Sequence, residues 1–225
     1  MYRNKEGLGV WEHRGKVAAV GIGHSPTARR WDETPETSLG AWSIMALRNA
    51  MEDAGVSPDE VDGLVISPGS LGEPWSPRPV PEDFANMFQL TDNPNDGLSQ
   101  MSAEFVLKNM PELTNVNFTM YGPGCMSNAI CVAAQAVGDG MTNTCLVLTG
   151  RNNLAGRYGQ YGANAADTVS GAGQFTAPWG PTGPTGDALS FSQYLRKYNV
   201  RKEMFAPFVV NEKRNGLMFV SLIHI

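Results

Sequence analysis

A glycine-rich turn ending in a cysteine lies between a strand-like and a helix-like segment near the middle of the chain. The turn reads Tyr121-Gly-Pro-Gly-Cys125-Met-Ser-Asn128. Upstream, residues 115–120 alternate polar and apolar side chains with β-branched and aromatic members, which predicts a strand. Downstream, small apolar residues reach Asp139 and cover most of a helical wheel, which predicts a helix buried on nearly all sides.

Cys125 falls at the first turn of that predicted helix. Unpaired backbone N–H groups and the positive end of the helix dipole meet there, and both favour a thiolate over a thiol. The pattern therefore predicts a nucleophilic cysteine, with a structural cysteine as the alternative that the spacing leaves open. Cys131 lies inside the helix and Cys145 opens an apolar run, so both are predicted to be buried, inert residues.

Composition limits the classes of protein to consider. The chain has 225 residues, 42% of them hydrophobic and 17% charged, which is typical of a globular protein with a substantial core. No apolar stretch is long enough for a membrane span and no signal peptide opens the chain, so we expect a cytoplasmic protein. Its net charge of -5 argues against nucleic acid as a partner. Three cysteines without ligand spacing predict neither disulfides nor a metal site.

The order of the predicted elements indicates an α/β fold. Residues 17–22 form a short apolar run, which predicts a strand buried on both faces. A helix follows over 37–55, with Ser38 as its N-cap and Gly55 at its C-terminal end, and a second strand covers 61–66. Helical spacing over 81–90 and 98–110 leads to the strand at 115–120. A fourth strand ends at Gly150, which completes a β-α-β-α-β-α-β series.

Two features complete the sequence pattern. Gly21-Ile-Gly23 suggests a dinucleotide fingerprint, but Pro26 occupies the third glycine position, so we do not predict such a site. After Arg151 the chain becomes rich in Gly, Ala, Asn and Thr, which predicts a boundary between a β/α core (1–152) and a second part (153–225). Helical character returns over 191–198 and 204–216.

These motifs resemble the thiolase superfamily, most closely its sterol-carrier-protein-type thiolases and thiolase-like aldolases. The resemblance rests on the cysteine turn and on several further segments in the same order. These segments are Lys16–Ser25, Thr37–Ile66, Leu146–Gly150 and the aromatic Pro-Trp-Gly segment Gln174–Gly180.

The resemblance implies a fold and a chemistry. The fold is a thiolase-like N-terminal half, a mixed and mostly parallel sheet with a buried central helix, followed by a loop domain. Cys125 would accept an acyl group from an acyl-CoA as a thioester, with coenzyme A as a substrate and no permanently bound cofactor. The substrate-binding residues would be Gly124, Ser127, Asn128, Trp179 and Gly180.

Family members of this branch are about twice as long, and their second half supplies the acid/base residues. We therefore expect this chain to be incomplete as a catalyst on its own. Two alternatives stay open. One is a thiolase-like aldolase subunit acting on a β-hydroxyacyl-CoA with a steroid or aromatic side chain. The other is a non-catalytic acyl-CoA or lipid-binding subunit.

The resemblance also implies an assembly. Family members pair edge to edge through the strand that corresponds to residues 116–120, so we expect a homodimer, with a small OB-fold-type accessory subunit as a further partner. The last residues, 217–225, are mostly apolar. We expect them to dock against the sheet, because exposed apolar surface is unfavourable by roughly 25 cal/mol per Å². A truncation artefact is the alternative.

Overall fold

The structure, a computed structural model, describes residues 11–28, 31–67, 80–122, 126–150 and 183–217. Two compact units divide the chain. The described residues 11–26 and 31–150 belong to the first unit, and residues 27–28 and 183–217 belong to the second. The predicted docking of residues 217–225 concerns a segment that lies, apart from Leu217, outside the described residues.

The first unit is built on a parallel sheet of three strands. The strands are β1 (Gly63–Ser67), β2 (Phe118–Tyr121) and β3 (Cys145–Thr149), in the order β2-β1-β3. Gly63 of the central strand lies opposite Phe118 on one side and Cys145 on the other. All five residues of β1 are buried, as expected for a strand covered on both faces. The fold is α/β, as the sequence predicted.

Helices cover the two faces of this sheet. They are α1 (Leu39–Ala54), α2 (Glu82–Met87), α3 (Ala103–Asn109) and α4 (Met126–Gly138). Side chains of α1, α2 and α3 form one core with Leu64 and Ile66 of β1. Val65, which points to the opposite face, packs with Ala129 and Ala133 of α4. The first unit therefore has three layers, with the sheet in the middle.

The ends of α1 follow the sequence prediction closely. The Ser38 hydroxyl accepts a hydrogen bond from the Ala41 N–H at 3.2 Å. Gly55 adopts a left-handed conformation with φ of 66°, which costs glycine little because it has no Cβ. Both residues were predicted from their types alone.

Helix α3 begins later than its spacing predicted. Residues 97–99 form turns and Gln100 forms an isolated β-bridge with Asp96, whose carboxylate accepts a hydrogen bond from the Ser102 N–H at 2.8 Å and fixes the loop before the helix. Ser102 is the N-cap, and its hydroxyl accepts from the Phe105 N–H. A local polar network thus replaced the first helical turn.

The prediction of a buried strand over residues 17–22 is wrong. The described segment contains no strand there, and the side chains of Val20 and Ile22 are 64% and 66% exposed. The segment runs along α1 instead: a Cβ on Gly21 would lie 2.5 Å from the Ala50 carbonyl oxygen. The Ile22 N–H donates to the Asp53 carboxylate at 2.8 Å. Small residues let this backbone contact a helix closely, which an apolar run does not reveal.

Helix α4 is less buried than its composition predicted. Its buried residues are Ala129, Ala133 and Ala136, whereas Ile130 is 50% exposed and Cys131 is exposed. The sheet covers only one side of the helix, where small alanine side chains permit a close approach. Outward-facing apolar residues therefore remain in contact with solvent in the described chain.

The second unit contains two helices, α5 (Gly183–Tyr198) and α6 (Ala206–Gly216), joined through a short 3-10 helix (Lys202–Phe205). The ring of Phe205 packs edge-on against Phe191, with ring centroids 5.1 Å apart. Both helices were predicted, although α5 begins earlier than expected.

Candidate active site

The carboxyl ends of the three strands meet at one edge of the sheet. In the register of the strands, Ile66 lies opposite Tyr121, and Ser67 lies opposite Thr149. Ligand sites of parallel α/β sheets lie outside this edge, where the loops that leave the strands converge. The candidate site is therefore the region around Ser67, Tyr121 and Thr149.

Gly122 brings the end of β2 close to the backbone of α4. Its N–H donates to the Ile66 carbonyl at 2.9 Å, which extends the pairing of the two strands by one residue. A Cβ on Gly122 would lie 2.3 Å from the Ala129 Cα and 2.6 Å from its nitrogen. Only glycine allows the end of β2 to lie this close to the helix backbone.

Helix α4 runs antiparallel to the strands. Ala129, in its second turn, contacts Gly122 at the carboxyl edge of the sheet, and Gly138 at its other end is followed by Thr142, which lies against Gly63 at the amino edge. The N-terminus of α4 is thus at the carboxyl edge. The positive end of the helix dipole favours a negative charge there.

The predicted site residues divide into two groups. Ser127 and Asn128 lie in the first turn of α4 and are exposed. Cys125, Gly124, Trp179 and Gly180 lie outside the described residues. The described part of α4 begins at Met126, directly after Cys125 in the sequence. The assigned roles of all six residues stay predictions.

Ser67 was not identified from the sequence. It is the last residue of β1, its side chain is fully buried, and its hydroxyl has no hydrogen-bond partner within the described part of the chain. The apolar run Gly63–Ile66 suggested that the strand had ended before this serine. A serine closing a buried strand at the carboxyl edge of a parallel sheet is the signal that could have found it.

The other cysteines behave differently from each other. Burial raises the pKa of Cys145 to about 12, and the nearby Asp62 carboxylate adds to this effect, so this thiol is inert, as predicted. Cys131, which was also predicted to be buried, is exposed on the outer face of α4. The prediction for Cys131 is wrong because the sheet covers only the opposite face of the helix.

The amino edge of the sheet is held together by the carboxylate of Asp62. The Asn143 and Thr144 N–H groups each donate to it at 2.9 Å, and the Thr142 hydroxyl donates as well. Burial raises the pKa of Asp62, but these hydrogen bonds outweigh it and hold the pKa at about 2. The carboxylate thereby anchors the loop before β3 to the start of β1.

A second polar cluster fixes residues 11–13 to the C-terminal end of α4. His13 Nε2 lies 2.8 Å from a carboxylate oxygen of Asp139, and Glu12 lies 3.6 Å from the same nitrogen. The potential metal-ligand atoms of these three side chains lie within 4.8 Å of one another, the one such group among the described residues. The Gln135 amide also donates to Asp139, so the cluster has its own partners and serves as a structural clamp.

The comparisons with known proteins concern the fold. No family model and no curated protein matches the sequence. Among solved structures, the chain is similar to one described as an Ltp2-ChsH2(DUF35) aldolase, with 22% identity and a TM-score of 0.54. That likeness covers 83% of this chain and 39% of the other. A priming β-ketosynthase of a polyketide pathway matches over 58% of this chain and 40% of its own, with 18% identity and a TM-score of 0.37.

The fold is therefore thiolase-like, as the sequence motifs implied. The chain spans about 39% of the length of the aldolase chain it resembles. No helix within the described ranges combines the length and the apolar character needed to cross a bilayer.

Proposed function

We propose that this chain carries the nucleophile-bearing half of a thiolase-type acyltransferase, which forms or cleaves a carbon–carbon bond in an acyl-CoA. The observation that carries the proposal is the close approach of the end of β2 to the first residues of α4. Gly122 packs on Ala129, and the N-terminus of α4 lies at the carboxyl edge of the sheet. Cys125, the residue before Met126, would meet the positive end of the helix dipole.

The role of Cys125 in this mechanism is nucleophilic. Its thiolate attacks the carbonyl carbon of an acyl-CoA, and the coenzyme A thiolate leaves and takes up a proton. In synthesis, the α-carbanion of a second acyl-CoA attacks the thioester, and the cysteine thiolate leaves. In cleavage, the cysteine thiolate attacks the β-carbonyl of a β-ketoacyl-CoA, the carbanion of the shorter acyl-CoA leaves and is protonated, and coenzyme A then takes the acyl group from the thioester. The α-carbon therefore needs a base in synthesis and an acid in cleavage, and both directions need donors for the oxyanion.

The described residues around the strand ends do not supply that base. The side chains at the carboxyl edge are Ser67, Tyr121 and Thr149, none of which is a carboxylate or an imidazole. We propose that a partner polypeptide or a further segment of the protein supplies the acid/base groups. Gly124, Ser127, Asn128, Trp179 and Gly180 would shape the acyl-CoA site.

Acyl transfer to the protein tests this proposal directly. The purified chain is incubated with acetyl-CoA or acetoacetyl-CoA, and its peptides are analysed by mass spectrometry. We expect one acetyl group on the peptide containing Cys125, lost in Cys125→Ala and retained in the matched variant Cys131→Ala. Absence of acylation in the wild-type chain would contradict the proposal. Unassisted turnover of acetoacetyl-CoA with coenzyme A would contradict the need for a partner.

An aldolase subunit is the second candidate, because one similar solved structure is named an Ltp2-ChsH2(DUF35) aldolase. In such a subunit the cysteine would not be acylated. Cleavage of a β-hydroxyacyl-CoA that persists in Cys125→Ala would favour this candidate. Saturable acyl-CoA binding without acylation or cleavage would favour a non-catalytic subunit.

A further inference from the structure

Three side chains with metal-ligand atoms meet at the C-terminal end of α4. His13 Nε2 lies 2.8 Å from a carboxylate oxygen of Asp139 and 3.6 Å from one of Glu12. The ligand atoms of all three side chains lie within 4.8 Å of one another. His13 and Asp139 are 126 positions apart in the sequence, so the fold brings these residues together and no spacing motif marks them.

The distances between these atoms fit the coordination of one zinc ion. Ligand atoms that lie about 2.0–2.1 Å from a tetrahedral zinc ion are about 3.3 Å from one another. The two distances from His13 Nε2, 2.8 Å to Asp139 and 3.6 Å to Glu12, lie on either side of this value. The side chains of Glu12 and Asp139 are 75% and 40% exposed, so both carboxylates have room to adjust around an ion.

The charges and donor types of the cluster favour a divalent transition-metal ion. Hydrogen bonds from Gln135 and from His13 hold the pKa of Asp139 below its ordinary value, so its carboxylate is ionised at neutral pH. Two carboxylates balance the two positive charges of the ion. The C-terminal end of a helix also favours a positive charge through the helix dipole. An imidazole among the ligands suits zinc better than magnesium or calcium.

Neighbouring groups hold the ligand side chains in place. The Gln135 side-chain amide donates to both carboxylate oxygens of Asp139 at 2.9 Å, and its oxygen accepts from Trp11 Nε1 at 2.7 Å. The His13 side chain is only 12% exposed. Its ring lies against Gly138, where an added Cβ would be 2.4 Å from the ring. Hydrogen bonds and packing of this kind orient the ligands of metal sites.

We propose that Glu12, His13 and Asp139 bind a zinc ion, which takes the place of the hydrogen that His13 Nε2 donates to Asp139. The proton must leave Nε2, because a metal ion binds the lone pair of this nitrogen. Asp139 keeps its hydrogen bonds from Gln135, since a carboxylate has about four acceptor positions. Three protein ligands leave a fourth position for water.

This site is independent of the proposed acyl transfer. The 13 residues of α4 span about 20 Å, and the three ligands lie at the end of the helix opposite to the carboxyl edge of the sheet. The role of the ion is therefore structural. It would tie residues 11–13 to the end of α4 more firmly than the ion pair does alone.

Titration calorimetry with Zn²⁺ tests the site. The chain is first treated with a chelator, and its accessible thiols are alkylated with iodoacetamide so that no thiolate competes for the ion. We expect the wild type to bind one zinc ion per chain. His13→Ala should weaken binding by more than about 100-fold, because even the outer hydrogen bonds of a metal site contribute roughly 10–100-fold. Gln135→Ala should weaken it about tenfold.

Glu12→Gln covers the case in which His13→Ala does not fold. The Glu12 side chain is 75% exposed, so this variant should keep the circular dichroism of the wild type and still weaken zinc binding by about tenfold or more. Zinc should also raise the melting temperature of the wild type, because it binds the folded chain, and should raise that of Glu12→Gln less.

Two control variants remove the same chemical groups elsewhere in the first unit. His24→Ala removes an exposed histidine, and Glu52→Gln removes an exposed carboxylate of α1. Both variants should bind zinc as the wild type does. A loss of binding in His24→Ala as large as that in His13→Ala would place the ion elsewhere and overturn the inference.

Two further results would overturn it. The first is the absence of saturable zinc binding in the wild type, which is what an ion pair between His13 and Asp139 without a metal predicts. The second is zinc binding that is equally strong in the wild type, His13→Ala and Glu12→Gln. The acylation test of Cys125 does not depend on zinc, so this inference and the proposed function can fail separately.

Discussion

At the scale of single residues, the two thiols in the described chain have opposite accessibilities. Cys131 is exposed on α4, whereas Cys145 is partly buried in β3 with its pKa raised to about 12. Only thiolates react rapidly with iodoacetamide.

We therefore expect Cys131 to be alkylated in the native protein near pH 8 and Cys145 to react only after unfolding. Peptide mass spectrometry before and after addition of guanidinium measures both sites in one sample. Native labelling of Cys145 at a rate similar to that of Cys131 would contradict the burial of the β3 thiol.

Asp62 gives a prediction for the pH dependence of stability. Its pKa is about 2 in the folded chain, below its ordinary value of 3.8. The folded state therefore binds fewer protons than the unfolded state between these values. The stabilising effect of the carboxylate is fully present at pH values above the ordinary pKa. It is lost as the pH falls toward the pKa of the folded state.

Asp62→Asn should lower the melting temperature clearly at neutral pH, and the difference from the wild type should shrink below about pH 4. Asp59→Asn is the control, because Asp59 is exposed in the segment just before β1. If the difference in melting temperature between Asp62→Asn and the wild type stays constant from neutral to acidic pH, the charge of Asp62 does not account for its effect on stability.

The structural roles of single residues were predicted correctly where the residue type and its neighbours in the sequence determine the role. Ser38 and Gly55 were identified as the two ends of α1 from type and position. Cys131 and Ser67 were misjudged because burial depends on which elements cover a face, and a short sequence window does not contain that information. The predicted nucleophile, Cys125, remains a prediction.

At the scale of elements, periodicity identified the helices and the three strands of the sheet, with errors mainly at their ends. The prediction of a strand over 17–22 was wrong because small residues in an apolar run are compatible with close packing on α1 as well as with a strand. Composition shows that the residues of a segment are apolar and small, but it does not show which element they pack against. Tertiary contacts decided between the two structures.

The approach of β2 to α4 gives a prediction at this scale. In Gly122→Ala, the new methyl group would lie 2.3 Å from the Ala129 Cα, so the strand end or the helix must shift. We expect a loss of about 1–3 kcal/mol in the free energy of unfolding, which is typical of an overpacked core. Denaturant titration followed by circular dichroism measures it.

Gly216→Ala is the matched control for this variant. Among the described residues, no heavy atom outside the adjoining backbone of the helix lies within 4 Å of a Cβ built at Gly216, and alanine favours the helix by up to about 1 kcal/mol over glycine. The control should be neutral or slightly stabilising. A Gly122→Ala variant as stable as the wild type would show that α4 does not lie as close to β2 as the structure describes.

At the scale of the whole molecule, the sequence predicted the α/β class because strands and helices alternate along the chain. The homodimer was implied only by the resemblance. It depends on contacts between two chains, which the sequence pattern of one chain does not determine. Within the described part of the sheet, β2 pairs with β1 on one side only. Met120 and Tyr121 of β2 are 48% and 53% exposed.

An exposed edge strand with apolar side chains tends to pair with another chain. Pairing of β2 with the same strand of a second copy, across a two-fold axis, would satisfy both edges at once. We therefore predict a homodimer, with a mass of twice 24.3 kDa by light scattering at micromolar concentration.

Met120→Lys tests whether β2 forms this interface. Two lysines facing each other near the two-fold axis would repel, so the variant should shift the mass toward a single chain without loss of secondary structure. Met141→Lys provides the control, because Met141 is also an exposed methionine, at 59%, and lies outside β2. A single-chain mass for the wild type would exclude the dimer, and a dimer that persists in Met120→Lys would place the interface elsewhere.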